Sequence, residues 1–243
     1  DDNPTEREWV KQMLPMVSVP DFPEQPYELP NFFKRLVEDY FKVYSITDED
    51  KQKTEQYKAN AARAQAQHAF ADFDKFLESL DIQITIEAAN EFNVQRIAQI
   101  TQKTNQFNLT TKRYTDTDIR GFLKQGWNIW CISVADRFGD NGITGTILIN
   151  GEEIDTLLLS CRILGKGIEI VFVKKIIEIL KTQGVKTLNA KYIPTVKNTQ
   201  VKDFYEKCGF ELVETTKDDV KFYSINLDTV NLSTKPYYNI VIR

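Results

Sequence analysis

The chain has 243 residues, 42% of them hydrophobic, enough to build a full core. Its 31 basic and 35 acidic residues give a formal net charge of −4, and like charges never run beyond three residues, which excludes a general nucleic-acid-binding surface and a polybasic membrane anchor. Cys131, Cys161 and Cys208 form no CxxC pair, so neither a disulfide framework nor a zinc site is expected; with no apolar run of the roughly 18–20 residues a membrane helix needs, a cytoplasmic protein is.

The opening Asp1-Asp2-Asn3-Pro4 reads as an acidic loop leading into a helix with proline in its first turn. Residues 16–19 are β-prone and read as a last strand before the proline-rich connection at 21–26. Phe32, Phe33, Leu36, Val37, Tyr40 and Phe41 have helical spacing within 29–44. Residues 47–67 are polar and rich in helix formers, an exposed helix or linker, and the lone His68 after them is assigned no role.

A second domain begins near residue 80. Residues 73–80 complete a helix, 82–86 alternate as a strand, 91–103 have helical spacing, and 116–124 form another short helix. Three strands follow at 127–135, 142–149 and 153–161. Asn141-Gly142 and Asn150-Gly151 mark hairpin turns between them. The third strand runs into Arg162-Ile163-Leu164-Gly165-Lys166-Gly167, and a long helix follows at 168–182. Glycines let the backbone approach a ligand closely, amides at a helix start suit a pyrophosphate, and Arg162 and Lys166 add positive charge. By itself the loop is equally readable as an ordinary strand–helix connection. A strand at 185–191, a helix at 198–207, Gly209 as its left-handed cap and a strand from Phe210 complete the pattern. The last residues, 231–243, end in an alternating run that adds a strand, within the chain or with another copy.

These residues carry a resemblance. Arg162-x-x-Gly165-x-Gly167 resembles the coenzyme A pyrophosphate loop of the GNAT acyltransferase superfamily, and Asn198 with Phe204-Tyr205 and Gly209-Phe210 resembles its later motif. The resemblance implies an α/β (α+β) fold: a mixed, mostly antiparallel sheet flanked by helices, in which the strand before the loop splays from its neighbour and leaves a cleft for a thioester. It further implies that Arg162, Leu164, Gly165, Lys166, Gly167 and Asn198 contact the cofactor and that Tyr205 protonates the leaving thiolate. Read from the residue alone, Tyr205 is as consistent with an aromatic packed under the sheet. No histidine or glutamate arrangement marks a base for an amine.

The polar run 102–114, with Asp136-Arg137-Phe138-Gly139-Asp140 and residues 160–165, is similar to FkbH-like proteins, which join a haloacid-dehalogenase-like (HAD) phosphatase to a GNAT-like domain. That resemblance implies three segments: residues 1–45 as the end of a phosphatase domain, packing poorly without its remainder; 46–79 as a helical linker; and 80–243 as the acyltransferase domain. Asp1 and Asp2 would then serve a magnesium site only in an intact phosphatase domain, and the chain itself would have no phosphatase activity. It also implies a glyceryl or similar acyl thioester, on coenzyme A or on the phosphopantetheine of an acyl carrier protein. Asn105, Gln106 and Thr110 are expected near the acyl group. Asp136 and Arg137 either line that pocket or pair with each other at a strand end. Cys161 is a candidate acyl-enzyme nucleophile if its thiolate is favoured by Arg162 and the helix start, or else a packed thiol. The alternatives are a coenzyme A-dependent N-acetyltransferase acting on a small amine or sugar, and a non-catalytic module that docks a carrier protein.

Overall fold

The computed structural model describes residues 2–15, 17–40 and 48–243, without the side chains of 48–57. The chain divides into two compact units, 1–52 and 53–243.

In the first unit, α1 (Pro4–Met13) starts where the Asn3 side chain accepts the Thr5 N–H at 3.0 Å, with Pro4 where no amide partner is needed. A 3₁₀ turn (Pro26–Glu28) leads into α2 (Leu29–Tyr40). The helix expected to reach residue 44 is seen to Tyr40, the remainder lying outside the described residues. No strand forms at 17–19, where a last strand was expected; residues 17–25 run as bends and extended chain up to the 3₁₀ turn. Neither α1 nor α2 buries a side chain, and Trp9 and Tyr27 are 63% and 77% exposed.

The helix α3 (Asp48–Gln67) and a shorter α4 (Phe73–Ser79), capped by Asp72, precede the sheet unit's core. The chain then runs β1 (Gln83–Ala88), α5 (Val94–Lys103), α6 (Asp116–Lys124), β2 (Asn128–Asp136), β3 (Gly139–Asn150), β4 (Glu153–Leu159), α7 (Ile168–Thr182), β5 (Thr187–Tyr192), α8 (Phe204–Lys207), β6 (Glu211–Thr215), β7 (Lys221–Asn226) and β8 (Asn239–Ile242). The eight strands form one sheet in the order β6-β7-β5-β4-β3-β2-β1-β8, antiparallel except at β4–β5 and β1–β8. This is the mixed, mostly antiparallel architecture that the resemblance implied.

One face of the sheet carries Ile84, Ile132, Ile147 and Leu157 against α7; Ile129, Cys131 and Leu148 lie in a separate cluster with α5 and α6. On α7, Ile168, Val171, Phe172, Val173, Ile176, Ile177 and Leu180 are all buried. At roughly 1.5–3 kcal/mol for each large apolar side chain buried, that packing outweighs the modest helix propensity of its β-branched residues.

Two expectations fail in instructive ways. Asn141-Gly142 is not a hairpin turn: the chain reverses at Arg137-Phe138, and the pair sits inside β3 at a bulge, where the Asn141 side-chain amide donates to the Val134 carbonyl at 3.2 Å. The helix expected over 198–207 is split into a 3₁₀ turn (Thr199–Val201) and α8. Asn150-Gly151 does make the β3–β4 hairpin, with Gly151 at φ +58°.

The feature that positions the site is the β4–β5 pair. These parallel strands are bridged at only two positions, Glu153 with Asn189 and Ile154 with Ala190, and then diverge. The far end of β4 opens beside the glycine loop.

Candidate functional site

The loop begins where β4 stops at Leu159. Ser160 caps a single 3₁₀ turn (Cys161–Ile163), and its hydroxyl also accepts from the Arg162 Nε at 3.1 Å. Gly165 and Gly167 both adopt positive φ, +78° and +74°, a conformation that costs any residue with a Cβ. Gly167 is the N-cap of α7, so the strand–loop–helix order read from the sequence is built as expected.

The contents of the loop were not foreseen. The first turn of α7, just after the loop amides, carries the carboxyl of Glu169. Burial pushes that carboxyl up from its ordinary value, while the amides and the Lys207 charge draw it part of the way back. Its Oε2 is buried with no hydrogen-bond partner. The Lys166 side chain turns inward: it is buried, with Nζ 3.6 Å from Asp136 Oδ2. Arg63 on α3 clamps the same carboxylate with Nε and Nη2, each at 2.7 Å. Burial would raise the Asp136 carboxyl, but the hydrogen bonds and charge of Arg63 outweigh it and hold the group below the usual range. Burial and the neighbouring Arg63 lower Lys166. Outside the loop, the Tyr238 hydroxyl donates to the Lys166 carbonyl at 2.6 Å and lies 2.8 Å from where a Gly167 Cβ would stand.

On the other side of the loop is a groove of about 640 Å³, lined in part by Asn105, Gln106, Ser160, Cys161, Arg162 and Lys197. It joins Cys161 and Arg162 to two of the three residues expected near an acyl group. Cys161 is exposed on the 3₁₀ turn, past the end of the strand on which it was expected. Deeper in, residues 107–109 lie along the free edge of β4. The Leu109 N–H donates to the Leu157 carbonyl at 3.2 Å and the Leu159 N–H to the Phe107 carbonyl at 3.0 Å. Just past β5, the Ile193 N–H donates to the Leu109 carbonyl at 2.8 Å. The chain's own backbone therefore spans the opening between β4 and β5.

The other expected site residues are placed elsewhere. Asn198 is completely buried and its amide is fully used: Nδ2 donates to the carbonyls of Asn108 and Ile193, both at 2.9 Å, and Oδ1 accepts from Thr195 N–H at 2.7 Å and Tyr192 Oη at 3.2 Å. It is a strut under the 107–109 segment. Tyr205 is 1% exposed, packed among Phe204, Phe210 and Tyr223, with its hydroxyl buried and unpartnered. Burial drives that hydroxyl well above its ordinary pKa, so the packed-aromatic reading describes its surroundings. Thr110 is buried and donates to the Asp155 carbonyl at 3.0 Å. Asp136 and Arg137 form no pair with each other; Asp136 belongs to Arg63 and Lys166, and the Arg137 guanidinium lies over the Phe138 ring at 4.8 Å. Leu164 is half-buried against the core. Asp1 lies outside the described residues; Asp2 is exposed, its carbonyl accepting from Arg7 at 2.8 Å. Among the described residues no cluster of His, Cys, Asp and Glu is fit to hold a metal ion, and no helix is long and apolar enough to cross a membrane.

Sequence reading missed Glu169, Arg63 and Tyr238. An acidic residue in a first turn is ordinary helix chemistry, and Arg63 and Tyr238 lie 73 and 72 positions from their partners.

No family model matches the sequence, and no curated protein matches it. Among solved structures, the chain is similar to a Desulfovibrio desulfuricans protein assigned to the GNAT family of acetyltransferases, at 11% identity and a TM-score of 0.46, covering 59% of this chain and 99% of that one. It is similar at 13% identity and a TM-score of 0.44 to the ribosomal-protein-S18-alanine N-acetyltransferase of Escherichia coli, covering 59% and 94%. It is also similar to the spermidine N-acetyltransferase of Vibrio cholerae, solved with CoA and spermine, at 14% identity and a TM-score of 0.45, covering 60% and 96%.

Proposed function

We propose that residues 53–243 form an acyltransferase module that receives an acyl group as a thioester in the groove beside β4. The observation that carries this reading is the meeting of the exposed Cys161 thiol with Arg162, Asn105 and Gln106 at the mouth of the splayed strands. The proposed step is thiol–thioester exchange. The Cys161 thiolate adds to the thioester carbonyl, the C–S bond to the incoming thiol breaks, and the departing thiolate takes up the proton that Cys161 gave to solvent. An acceptor nucleophile then attacks the acyl-cysteine and releases the thiolate. Arg162 supplies positive charge beside the sulfur, and the side-chain amides of Asn105 and Gln106 are donors for an acyl oxygen.

The finer reading is a glyceryl or similar acyl group on the phosphopantetheine of an acyl carrier protein, as the FkbH-like resemblance implies. In that reading residues 1–45 correspond to the end of a phosphatase domain, and magnesium concerns Asp1 and Asp2 there, not the groove. The test is intact-protein mass spectrometry after incubation with acetyl-coenzyme A and, separately, with glyceryl-loaded carrier protein. An added acyl mass located on Cys161 and lost in Cys161→Ser supports the reading; no adduct with either donor counts against it.

A second reading, a module that grips a carrier without transferring anything, is favoured by the coverage of β4 by residues 107–109 and by the buried Tyr205 hydroxyl. Carrier binding by calorimetry that survives Cys161→Ala, with no transfer by the parent chain, would establish it.

A further inference from the structure

Three stretches of the chain that wall the Cys161 groove contain no acidic residue: 92–115, 156–168 and 179–202. In a chain with 35 acidic residues among 243, gaps of this length set these walls apart from the rest of the molecule. The fold gathers their cations. Arg96 and Lys103 from α5, Arg162 from the 3₁₀ turn and Lys197 from the loop after β5 line the groove, and no Asp or Glu is among its lining residues. Arg96 and Lys103 stand seven positions apart, about 10 Å along one face of α5. Arg96 is braced by the Gln99 side chain, and Arg162 by the Ser160 hydroxyl at 3.1 Å. Lys103 and Lys197 are exposed and form no ion pair among the described residues. The last acid on β4, Asp155, is taken up by Lys112 and by the Tyr114 hydroxyl at 2.6 Å. Ile100, Phe107 and Leu159 make the remaining wall apolar.

We infer that the Cys161 groove selects organic anions, and that the nucleophile taking the acyl group from Cys161 belongs to a small molecule bearing a carboxylate or a phosphate. A cleft lined by one sign of charge, with low-dielectric walls, focuses its field and concentrates the opposite charge by tenfold or more. A polyamine or a lysine side chain would enter against four like charges. The pantetheine arm of a donor thioester is uncharged along its length and leaves with its thiol, so the counter-charge comes with the acceptor. In the transfer, the acceptor's nucleophile adds to the acyl-cysteine carbonyl and the C–S bond to Cys161 breaks. Cys161 leaves as a thiolate beside Arg162, and the acceptor's proton passes to solvent. The acceptor assignment rests on the acyl-thioester reading above; the charge selectivity does not.

Cys161 is itself the probe, because Cys131 and Cys208 are buried and reagents in solution reach only the exposed thiol. The full chain is treated with three disulfides of similar size, dithiodiglycolate (anionic), bis(2-hydroxyethyl) disulfide (neutral) and cystamine (cationic), and each labelling rate is divided by that of the neutral thiol N-acetylcysteamine. The expected order is anionic, neutral, cationic, with steps of about tenfold that shrink at least threefold in 1 M salt and in the double variant Lys103→Gln, Lys197→Gln. Normalised rates within about twofold of one another, or cystamine fastest, overturn the inference; the parent chain alone decides this even if the variant fails to fold. Glycolate and inorganic phosphate are then added as protectants against the neutral disulfide: whichever slows labelling identifies the oxyanion, and protection by neither overturns the selectivity. For the acceptor, acyl-Cys161 formed from an N-acetylcysteamine thioester is released with mercaptoacetate or cysteamine, normalised in the same way. Equal release by the two overturns the acceptor assignment. The expected labelling order with no acyl adduct formed would sink the acyl-thioester reading and uphold the anion selectivity.

Discussion

Removing the Asp136 carboxylate tests whether the glycine loop is held from beneath by charge. Among the described residues, Asp136 is the single anion contacting two buried cations: its side chain is 1% exposed, that of Arg63 7% and that of Lys166 10%. Asp136→Ala leaves a guanidinium and an ammonium facing each other without a counter-charge, and losing one partner of a buried pair typically costs about 3–5 kcal/mol. Arg63→Met is milder, because Asp136 keeps Lys166 at 3.6 Å and the Phe138 N–H at 3.0 Å. Lys166→Met is milder still, since burial already disfavours that charge. The assay is urea unfolding followed by fluorescence in a Trp9→Phe background, which leaves Trp127 and Trp130 to report on the sheet unit alone. The expected order of destabilisation is Asp136→Ala, then Arg63→Met, then Lys166→Met. Asp136→Ala within about 0.5 kcal/mol of the parent would place the cluster in the range of exposed pairs and refute the argument.

The same carboxylate gives a pH signature. Its folded pKa lies below the ordinary value of 3.8, so the unfolded chain binds the extra proton first; the stabilisation is complete above about pH 4 and is lost as acid approaches the folded pKa. An acid-unfolding difference between parent and Asp136→Asn that stays constant below pH 4 would contradict it. Asn198→Ala orphans two carbonyls, an amide and a hydroxyl, and should cost about 2–4 kcal/mol by chemical denaturation; unchanged stability with weakened thioester binding would instead make it a ligand contact. Tyr205→Phe removes a buried hydroxyl that has no partner, so the melting temperature should hold or rise, by up to about 1 kcal/mol of stability, and a drop of more than 1 kcal/mol would reveal a missed bond.

Elements whose sequence states both a face and a cap were legible. Residues 116–124 carry the reciprocal Thr115–Asp118 cap, and 168–182 begin at a glycine that must be left-handed; both helices have the expected bounds. Strand β7 went unanticipated because only Tyr223 and Ile225 mark its buried side. Asn141-Gly142 misled because the residues that suit a tight hairpin also suit a bulge, and the choice depends on cross-strand register. In the site, the strand–glycine-loop–helix order was legible from local sequence, whereas the groove joins Cys161 to Asn105 and Gln106, which only the fold brings together. What braces the loop was not legible, since Arg63 and Lys166 meet Asp136, and Tyr238 meets the Lys166 carbonyl, only through the tertiary fold. Asn198 shows the limit of motif reading: a buried amide can be required by the backbone it braces.

The parallel pairing of β8 with β1 joins Gln83 to Asn239, while Tyr238, the residue before that strand, seals the glycine loop. During synthesis the outer edge of β1 therefore stays unpaired until residues 239–242 leave the ribosome, and the loop stays open over the same interval. An unpaired edge flanked by Ile84 and Ile86 invites association with other nascent chains. Completing the sheet and closing the loop should be a single event in biogenesis, so a chain cut before residue 238 would be expected to aggregate before it could reach a stable open form.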